Sequence, residues 1–417
     1  MDDASTQQSK QGGGAGEHRL LPRTLLVQAA GVIAKQLQAA RVETGADIGW
    51  QTAARNNDTS LYGGTLGIAV FLAAYARVEG AGWARDLALR AVASTRRAEA
   101  HSHAPESMAA AAVGGLVGRG AHVYGLATIG RLLDEPALAM EAHALATSID
   151  PSAITSDRGL DVVHGSAGLI LALTSLGPAL VDPGRHGRTP LDLVSMAAEH
   201  LLASQEQDAP WAGAVIGHAD PVPQSGFAHG ATGVSVALAR AGQILGNRAF
   251  LAAAARGLTF ERTHCVVSPG CWRVAPGDTR TPSGWCRGGP GAALGRSIIL
   301  EAAPDIDGAE AAQDEIAQAV SFMQQLPRLR LDHLCCGGMG VVDTLLALHA
   351  ASNDDAMLAS AHARALLILR AAKARGGFLL GTEDGVEPSL FQGLAGVGYG
   401  LLRLAEPALL PCVLMLA

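Results

Sequence analysis

One pattern recurs seven times along this 417-residue chain: a G-x-x-G step followed by an apolar run. It reads GGTLGIAVFLAAYA from Gly63, GGLVGRGAHVYGLA from Gly114, HGSAGLILALTSL from His164, HGATGVSVALARAG from His229, RGGPGAALGRSIIL from Arg287, CGGMGVVDTLLALHA from Cys336 and QGLAGVGYGLLRLA from Gln392. The copies follow one another at intervals of 49 to 65 residues. A unit repeated at such a period cannot bury its own apolar face, so each copy must pack on the next. Between the copies lie stretches of another kind, beginning near Arg23, Trp83, Glu135, Pro190, Asn247, Ala311 and Asp355. WARDLALRAVASTRRAEA from Trp83 typifies them, with apolar positions on one stripe and Arg and Glu on the other. A helix that is apolar all round belongs inside, and an amphipathic one belongs on the surface. The expectation is an all-α fold, an α/α toroid with seven inner and seven outer helices.

Composition narrows the function classes. With 49% hydrophobic and 17% charged residues, the chain can bury a large core without staples. A net charge of −7 with interspersed signs offers no basic face to nucleic acid. Six cysteines at scattered spacings are not a secreted disulfide framework and point to a reducing, cytoplasmic setting. Residues 1–19, MDDASTQQSKQGGGAGEHR, are polar and lack an apolar h-region. They read as a disordered tail ahead of a single domain over 20–417. Val162 to Val181 carries no formal charge, but its His164, its glycines and Pro178 suit a buried helix better than a membrane span.

Two glycines three residues apart occupy one helical turn. Close helix packing and an entry loop with φ > 0 account for them better than phosphate binding does. If the inner helices share one direction, their N-termini open at one mouth, and the residues just ahead of the repeat glycines face each other there. These are Gly63, Gly114, His164, His229, Arg287, Cys336 and Gln392, with Tyr62, Val113, Val163, Ala228, Cys286, Cys335 and Phe391 one position earlier. Cys286 and the pair Cys335–Cys336 come from consecutive copies and become neighbours in a ring. Three converging thiols fit zinc with an open fourth position, since zinc takes tetrahedral N/S ligands. A vicinal redox pair and inert buried thiols are the competing readings.

Cys265 and Cys271, in a Gly/Pro-rich loop, are extra ligands, a labile pair or thiols without function, and Cys412 is expected to pack in the apolar C-terminal stretch. Among fourteen histidines, His229 is the candidate proton carrier, because imidazole can move protons at cellular pH. His164 shares its repeat position. Asp161, three residues upstream of His164, either orients such a group or caps a helix.

The motifs WCRGGPG, HLCCGGMG, SGFAHGATG, LYGGTLGIAVFLAA and the ending LFQGLAGVGYGLLRLAEPALLPCVL resemble the lanthionine synthetase C-like family. The likeness is greatest to the C-terminal cyclase domain of class II lanthipeptide synthetases and runs from about Leu20 to the end. It implies a double α-toroid around one catalytic zinc ion. The family's first ligand, the Cys of a W-C-x-G motif, falls on Cys286. Its next two, from a C-H-G or C-C-G motif, fall on Cys335 and Cys336, as in the subgroup with three thiolates. The family's proton-handling histidine falls on His229 and its assisting aspartate on Asp161. An arginine that some relatives carry four residues before the first ligand is Pro282 here, and the Tyr or His that follows that ligand is Arg287. Arg287 or Arg280 is left to supply the positive charge.

The implied activity is a zinc-dependent peptide cyclase acting on a dehydrated precursor peptide, leader plus core. Its cysteine thiolates add to dehydroalanine or dehydrobutyrine and form (methyl)lanthionine thioether rings. Only about twenty residues precede the first amphipathic stretch, too few to bury a second catalytic core. A separate dehydratase is therefore the expected partner, whether the chain is free-standing or a domain of a larger synthetase. The alternative is a non-catalytic zinc toroid that binds a thiol or a leader peptide.

Overall fold

The computed structural model describes residues 20–52, 58–101, 113–185, 187–206, 210–212, 222–381 and 387–417. The expected tail over 1–19 lies outside them. Outer and inner helices alternate along the chain. They run α1 (Arg23–Ala40, outer), α2 (Thr65–Glu79, inner), α3 (Gly82–His101, outer), α4 (Arg119–Leu133, inner) and α5 (Pro136–Thr147, outer). A one-turn α6 (Pro151–Thr155) precedes α7 (Ser166–Thr174, inner), α8 (Pro190–Ala203, outer), α9 (Ala231–Leu245, inner) and α10 (Arg248–His264, outer). The last five are α11 (Gly289–Ala302, inner), α12 (Ala309–Gln325, outer), α13 (Gly338–Ser352, inner), α14 (Asp355–Arg375, outer) and α15 (Leu394–Ala405, inner). This is the α/α toroid that the repeat pattern predicts, with seven helices in each layer among the described residues. None of the helices is long and apolar enough to cross a membrane among the described residues.

Each inner helix packs on the next, and α15 packs on α2, so the inner ring closes. Each outer helix covers the inner helix that precedes it, except α1, which covers α15. The first helix thus seals the unit that the last one opens. Leu26, Ala30, Ile33, Ala34 and Leu37 form its buried stripe at helical spacing.

The loops entering the inner helices close a second circle. Tyr62 N–H donates to the Leu116 carbonyl (3.1 Å), Leu116 to Val163 (3.2 Å), Val162 to Ala228 (3.1 Å) and Ala228 to Cys286 (3.2 Å). Cys286 then donates to Cys335 (3.2 Å), Cys335 to Phe391 (2.9 Å) and Phe391 back to Tyr62 (3.1 Å). This hoop satisfies backbone groups that buried loops would otherwise leave unpaired, and it places all seven inner N-termini at one mouth.

The repeat glycines do allow close packing between copies, as a Cβ at Gly168 would lie 2.3 Å from the Gly115 nitrogen, and they serve a further purpose within each copy. A Cβ at Gly67, Gly168, Gly233, Gly291, Gly340 or Gly396 would lie 1.8 to 2.2 Å from the carbonyl oxygen of the residue six positions earlier. In these six copies the entry loop folds back over the first turn of its own helix, and only glycine leaves room for it, whereas the second copy has Ala121 at that position. Positive φ is confined to two of the seven N-caps, Gly118 and Gly288.

The second copy also departs from the predicted register. Its N-cap is Gly118, so Val117 and Leu116, not Gly114 and Val113, hold the positions facing the mouth. Gly114 and Gly115 answer to the neighbouring loop instead, where a Cβ would lie 2.2 Å from the Val163 oxygen and 2.5 Å from the Gly168 oxygen respectively.

Candidate functional site

The fifth and sixth loops bring the three predicted ligands together. The sulfurs of Cys286, Cys335 and Cys336 all lie within 4.8 Å of one another, and those of Cys335 and Cys336 are 3.7 Å apart. Adjacent residues achieve this because they sit in the irregular loop ahead of α13, whose N-cap is Gly337, rather than in a helix. Gly284 lets the two loops touch, since a Cβ there would stand 2.6 Å from the Cys336 Cα. Cys335 is buried, whereas Cys286 and Cys336 are partly exposed toward the mouth.

Charge is unevenly shared in this group. Hydrogen bonds from Cys286 and Cys335 hold Cys336 down at about 3, against the burial that opposes its ionisation. Cys335 is pushed well up by its hydrogen bonds to Cys286 and Cys336 and by burial. The contact with Cys335 favours ionisation of Cys286, but the hydrogen bond to Cys336 and burial outweigh it and push Cys286 up to about 12. Three thiols this close resist ionising together, as expected when like charges crowd without a cation.

Two further groups line the sulfurs. The Tyr62 hydroxyl donates to the Cys335 sulfur at 3.2 Å. Burial, and then the Cys335 sulfur, push Tyr62 well above the ordinary tyrosine range, so it remains a donor. His333 Nδ1 accepts from the Cys336 N–H at 3.4 Å, and burial holds that imidazole below its usual range.

One loop away stands the predicted acid–base pair. His229 Nδ1 lies 2.6 Å from Asp161 Oδ2, a contact spanning 68 residues of chain. The other carboxylate oxygen, Oδ1, accepts from the His164 backbone N–H at 2.7 Å. Asp161 therefore orients an imidazole and holds a turn, but it does not cap a helix. The N-cap of α7 is Gly165, and the Ser166 N–H donates to Asp157 at 2.7 Å. Burial alone would raise its carboxyl, but hydrogen bonds from His164 and His229 hold it well below the usual range. The His164 ring stacks on that of His229 at 6.0 Å and 19°, with its Nδ1 3.9 Å from Asp161 Oδ2.

The two arginine candidates separate cleanly. Arg287 Nη2 donates to Gln224 Oε1 at 2.8 Å, and its charge helps to lower Cys336. Arg280 is two-thirds exposed (66%) and paired with Asp278 at 2.6 Å. Cys265, Cys271 and Cys412 are free thiols outside the cluster of three. Cys412 does pack, as expected, and its buried sulfur also donates to Asp343 Oδ2 at 3.3 Å.

Three residues had no site role in the sequence reading: Gln224, Glu261 and, as more than a ring position, Tyr62. Glu261, fully buried on α10, accepts from the N–H groups of Gly226 and Thr232 (both 2.9 Å) and from Thr232 Oγ1 (2.6 Å). It anchors the loop that presents His229, yet no local motif marks it.

A closed α/α toroid with a thiol cluster and an Asp–His pair on one mouth defines a narrow class. The model of the family "Lanthionine synthetase C-like protein" matches residues 55–415, and the chain belongs to that family. Among solved structures, nisin cyclase is similar with a TM-score of 0.64 at 14% identity, over 95% of this chain and 98% of that one. A GH76 α-mannanase from Bacteroides thetaiotaomicron is similar at 0.51 and 10%, over 92% and 96%. At such identities these likenesses speak for the toroid alone. No curated protein matches the sequence.

Proposed function

We propose that this chain is a zinc-dependent peptide cyclase that closes (methyl)lanthionine thioether rings in a dehydrated precursor peptide. Family membership and the toroid support the reading. One observation carries it: three sulfurs on consecutive loops stand one loop away from a hydrogen-bonded Asp161–His229 pair. We take the cyclase unit to span 20–417, because α1 packs on α15 and closes the ring.

The donor set fits zinc. Three cysteine sulfurs suit a borderline-soft tetrahedral cation. The crowding that keeps protons on Cys286 and Cys335 is what a divalent charge between the sulfurs relieves. Bound through Cys286, Cys335 and Cys336, zinc would supply the positive charge that keeps a substrate cysteine ionised at neutral pH.

The rest of the chemistry falls to the chain's own side chains. When the substrate sulfur adds to the β-carbon of dehydroalanine or dehydrobutyrine, the α-carbon must take up a proton. His229 Nδ1 is committed to Asp161, which leaves Nε2 as the atom that delivers it. Asp161 fixes the ring's orientation and stabilises its charged form. Arg287, steadied by Gln224, stabilises the negative charge that develops on the substrate carbonyl. The S–H proton lost and the C–H proton gained balance, so ring closure leaves the peptide's mass unchanged. The dehydroamino acids come from a separate dehydration activity.

The test uses a dehydrated peptide, the purified protein and a thiol-alkylating reagent. Cysteines should become protected from alkylation with no change in peptide mass, and zinc chelation should abolish the protection. Rings also close spontaneously, so the controls are a tube without protein and one with Cys286→Ala. Equal rates in all three tubes would replace this reading with a thiol-holding toroid.

A further inference from the structure

We propose that Tyr62 is a positioning residue of the metal centre: its hydroxyl donates to the Cys335 sulfur and limits the charge that this sulfur gives to the metal. The assignment rests on the zinc reading above. Tyr62 belongs to the first loop, 273 residues before Cys335, yet its Oη lies 3.2 Å from that sulfur. Nothing about this contact is loose. Tyr62 N–H donates to Leu116 O at 3.1 Å, and its carbonyl accepts from Phe391 N–H at 3.1 Å. Its ring stacks on Phe391 at 5.1 Å with an interplanar angle of 14°. The carbonyl of the same Phe391 accepts from Cys335 N–H at 2.9 Å. The phenol and the sulfur it serves therefore share one neighbour, whose ring stacks on the phenol and whose carbonyl holds the Cys335 backbone.

The chemistry gives this contact a task. Three thiolates leave less positive charge on a cation for a fourth sulfur than a mixed nitrogen–sulfur set would. A hydrogen bond to one of them draws part of its charge away from the metal, a tuning exerted by groups behind the ligands. Cys335 is the ligand that needs a protein donor for this. It is only 3% exposed, so a protein donor takes the place that water would otherwise have at its sulfur.

Tyr62→Phe deletes one oxygen and keeps the ring, its stack and both backbone bonds. Parent and variant are loaded with cobalt(II) and, separately, with zinc. In the variant the sulfur-to-cobalt charge-transfer band should move to longer wavelength, because a sulfur without its hydrogen bond is easier to oxidise. Zinc should be held more tightly against a chromophoric chelator, because a sulfur freed of its hydrogen bond gives the metal more charge. A packing role for Tyr62 moves neither reading, so an unchanged band and affinity would overturn the proposal. As a second arm, 3-fluorotyrosine in place of the chain's four tyrosines makes the phenol a stronger donor and should shift the band the opposite way. An unmoved band there also counts against the proposal. A parent protein that takes up neither metal defeats the zinc reading itself, and this assignment with it, so the two failures are told apart in the parent.

Discussion

The third and fourth loops of the hoop present Asp161, His164 and His229, and the fifth and sixth present Cys286, Cys335 and Cys336. In each trio the potential ligand atoms lie within 4.8 Å of one another. The backbone setting is the same, but the electrostatics are not. Asp161 already has partners of opposite tendency, and its carboxyl is held low by His164 and His229 despite burial. The cysteines press chiefly on one another, and the charge of Arg287 is a lesser help to Cys336. Proximity alone therefore does not make a metal site. The crowded sulfurs suit a cation, and the carboxylate with its imidazole partners suits proton movement, a contrast that variants can test.

The sharpest way to break this contrast is to remove two of the thiols. The double variant Cys335→Ala, Cys336→Ala should fall from about one zinc per chain, the stoichiometry of a mononuclear site, to almost none. Ring closure should fall to the rate without protein. Elemental analysis after dialysis reads the first and alkylation protection the second. Undiminished zinc would place the metal elsewhere, with Asp161, His164 and His229 as the obvious alternative, and would erase the distinction between the trios.

A smaller effect should follow from the other side of the hoop. His229→Asn should keep its zinc and lose roughly 10²–10⁴-fold in cyclisation rate, the usual scale of general acid–base catalysis. The pairing of readings matters more than the rate. Loss of zinc along with the imidazole would make His229 a ligand, and the three-cysteine model would fail.

What could be read from residues alone follows from what is periodic. Helix starts expected near Trp83, Glu135, Asn247 and Ala311 fall at Gly82, Pro136, Arg248 and Ala309, because apolar stripes and capping residues such as Asn247 act within a turn or two of chain. Copy number and a shared mouth were legible for the same reason, and with them the meeting of Cys286 with Cys335 and Cys336. The register of the second copy was not legible. Its Gly114 and Gly115 look like repeat glycines, but they are required by the adjoining loop, a tertiary demand that mimics a local one. Glu261 and Tyr62 were invisible as site residues for a related reason. The first acts through backbone N–H groups about thirty residues upstream, and the second meets a sulfur far along the chain that only ring closure brings two loops away. Of the two readings of Asp161, orienting an imidazole holds and capping a helix does not, because its second oxygen takes the His164 N–H ahead of the N-cap.

The smallest expected effect concerns the cation. Arg287 follows a ligand directly, donates through Nη2 to Gln224, and keeps a buried Nε without a hydrogen-bond partner. Arg280 is spent on Asp278 in an exposed stretch of loop. Arg287→Ala should slow ring closure about 10-fold with zinc content unchanged, below the 10²–10³ of a dedicated oxyanion donor, because a partly solvated charge is screened. Arg280→Ala should stay within about two-fold of the parent, as exposed ion pairs contribute little. One complication sharpens the comparison. Asp278 is held down at about 2, first by its hydrogen bonds with Arg280 and further by the charge of Arg287. Deleting Arg280 leaves that carboxylate facing Arg287 alone, so mild slowing in Arg280→Ala would report a diverted Arg287 rather than a lost cation. Added salt separates the two cases. It screens the exposed Asp278–Arg287 attraction and should restore the rate in Arg280→Ala, whereas nothing restores Arg287→Ala. A slow Arg280 variant that salt leaves slow, beside a normal Arg287 variant, would transfer the charge-stabilising role to Arg280.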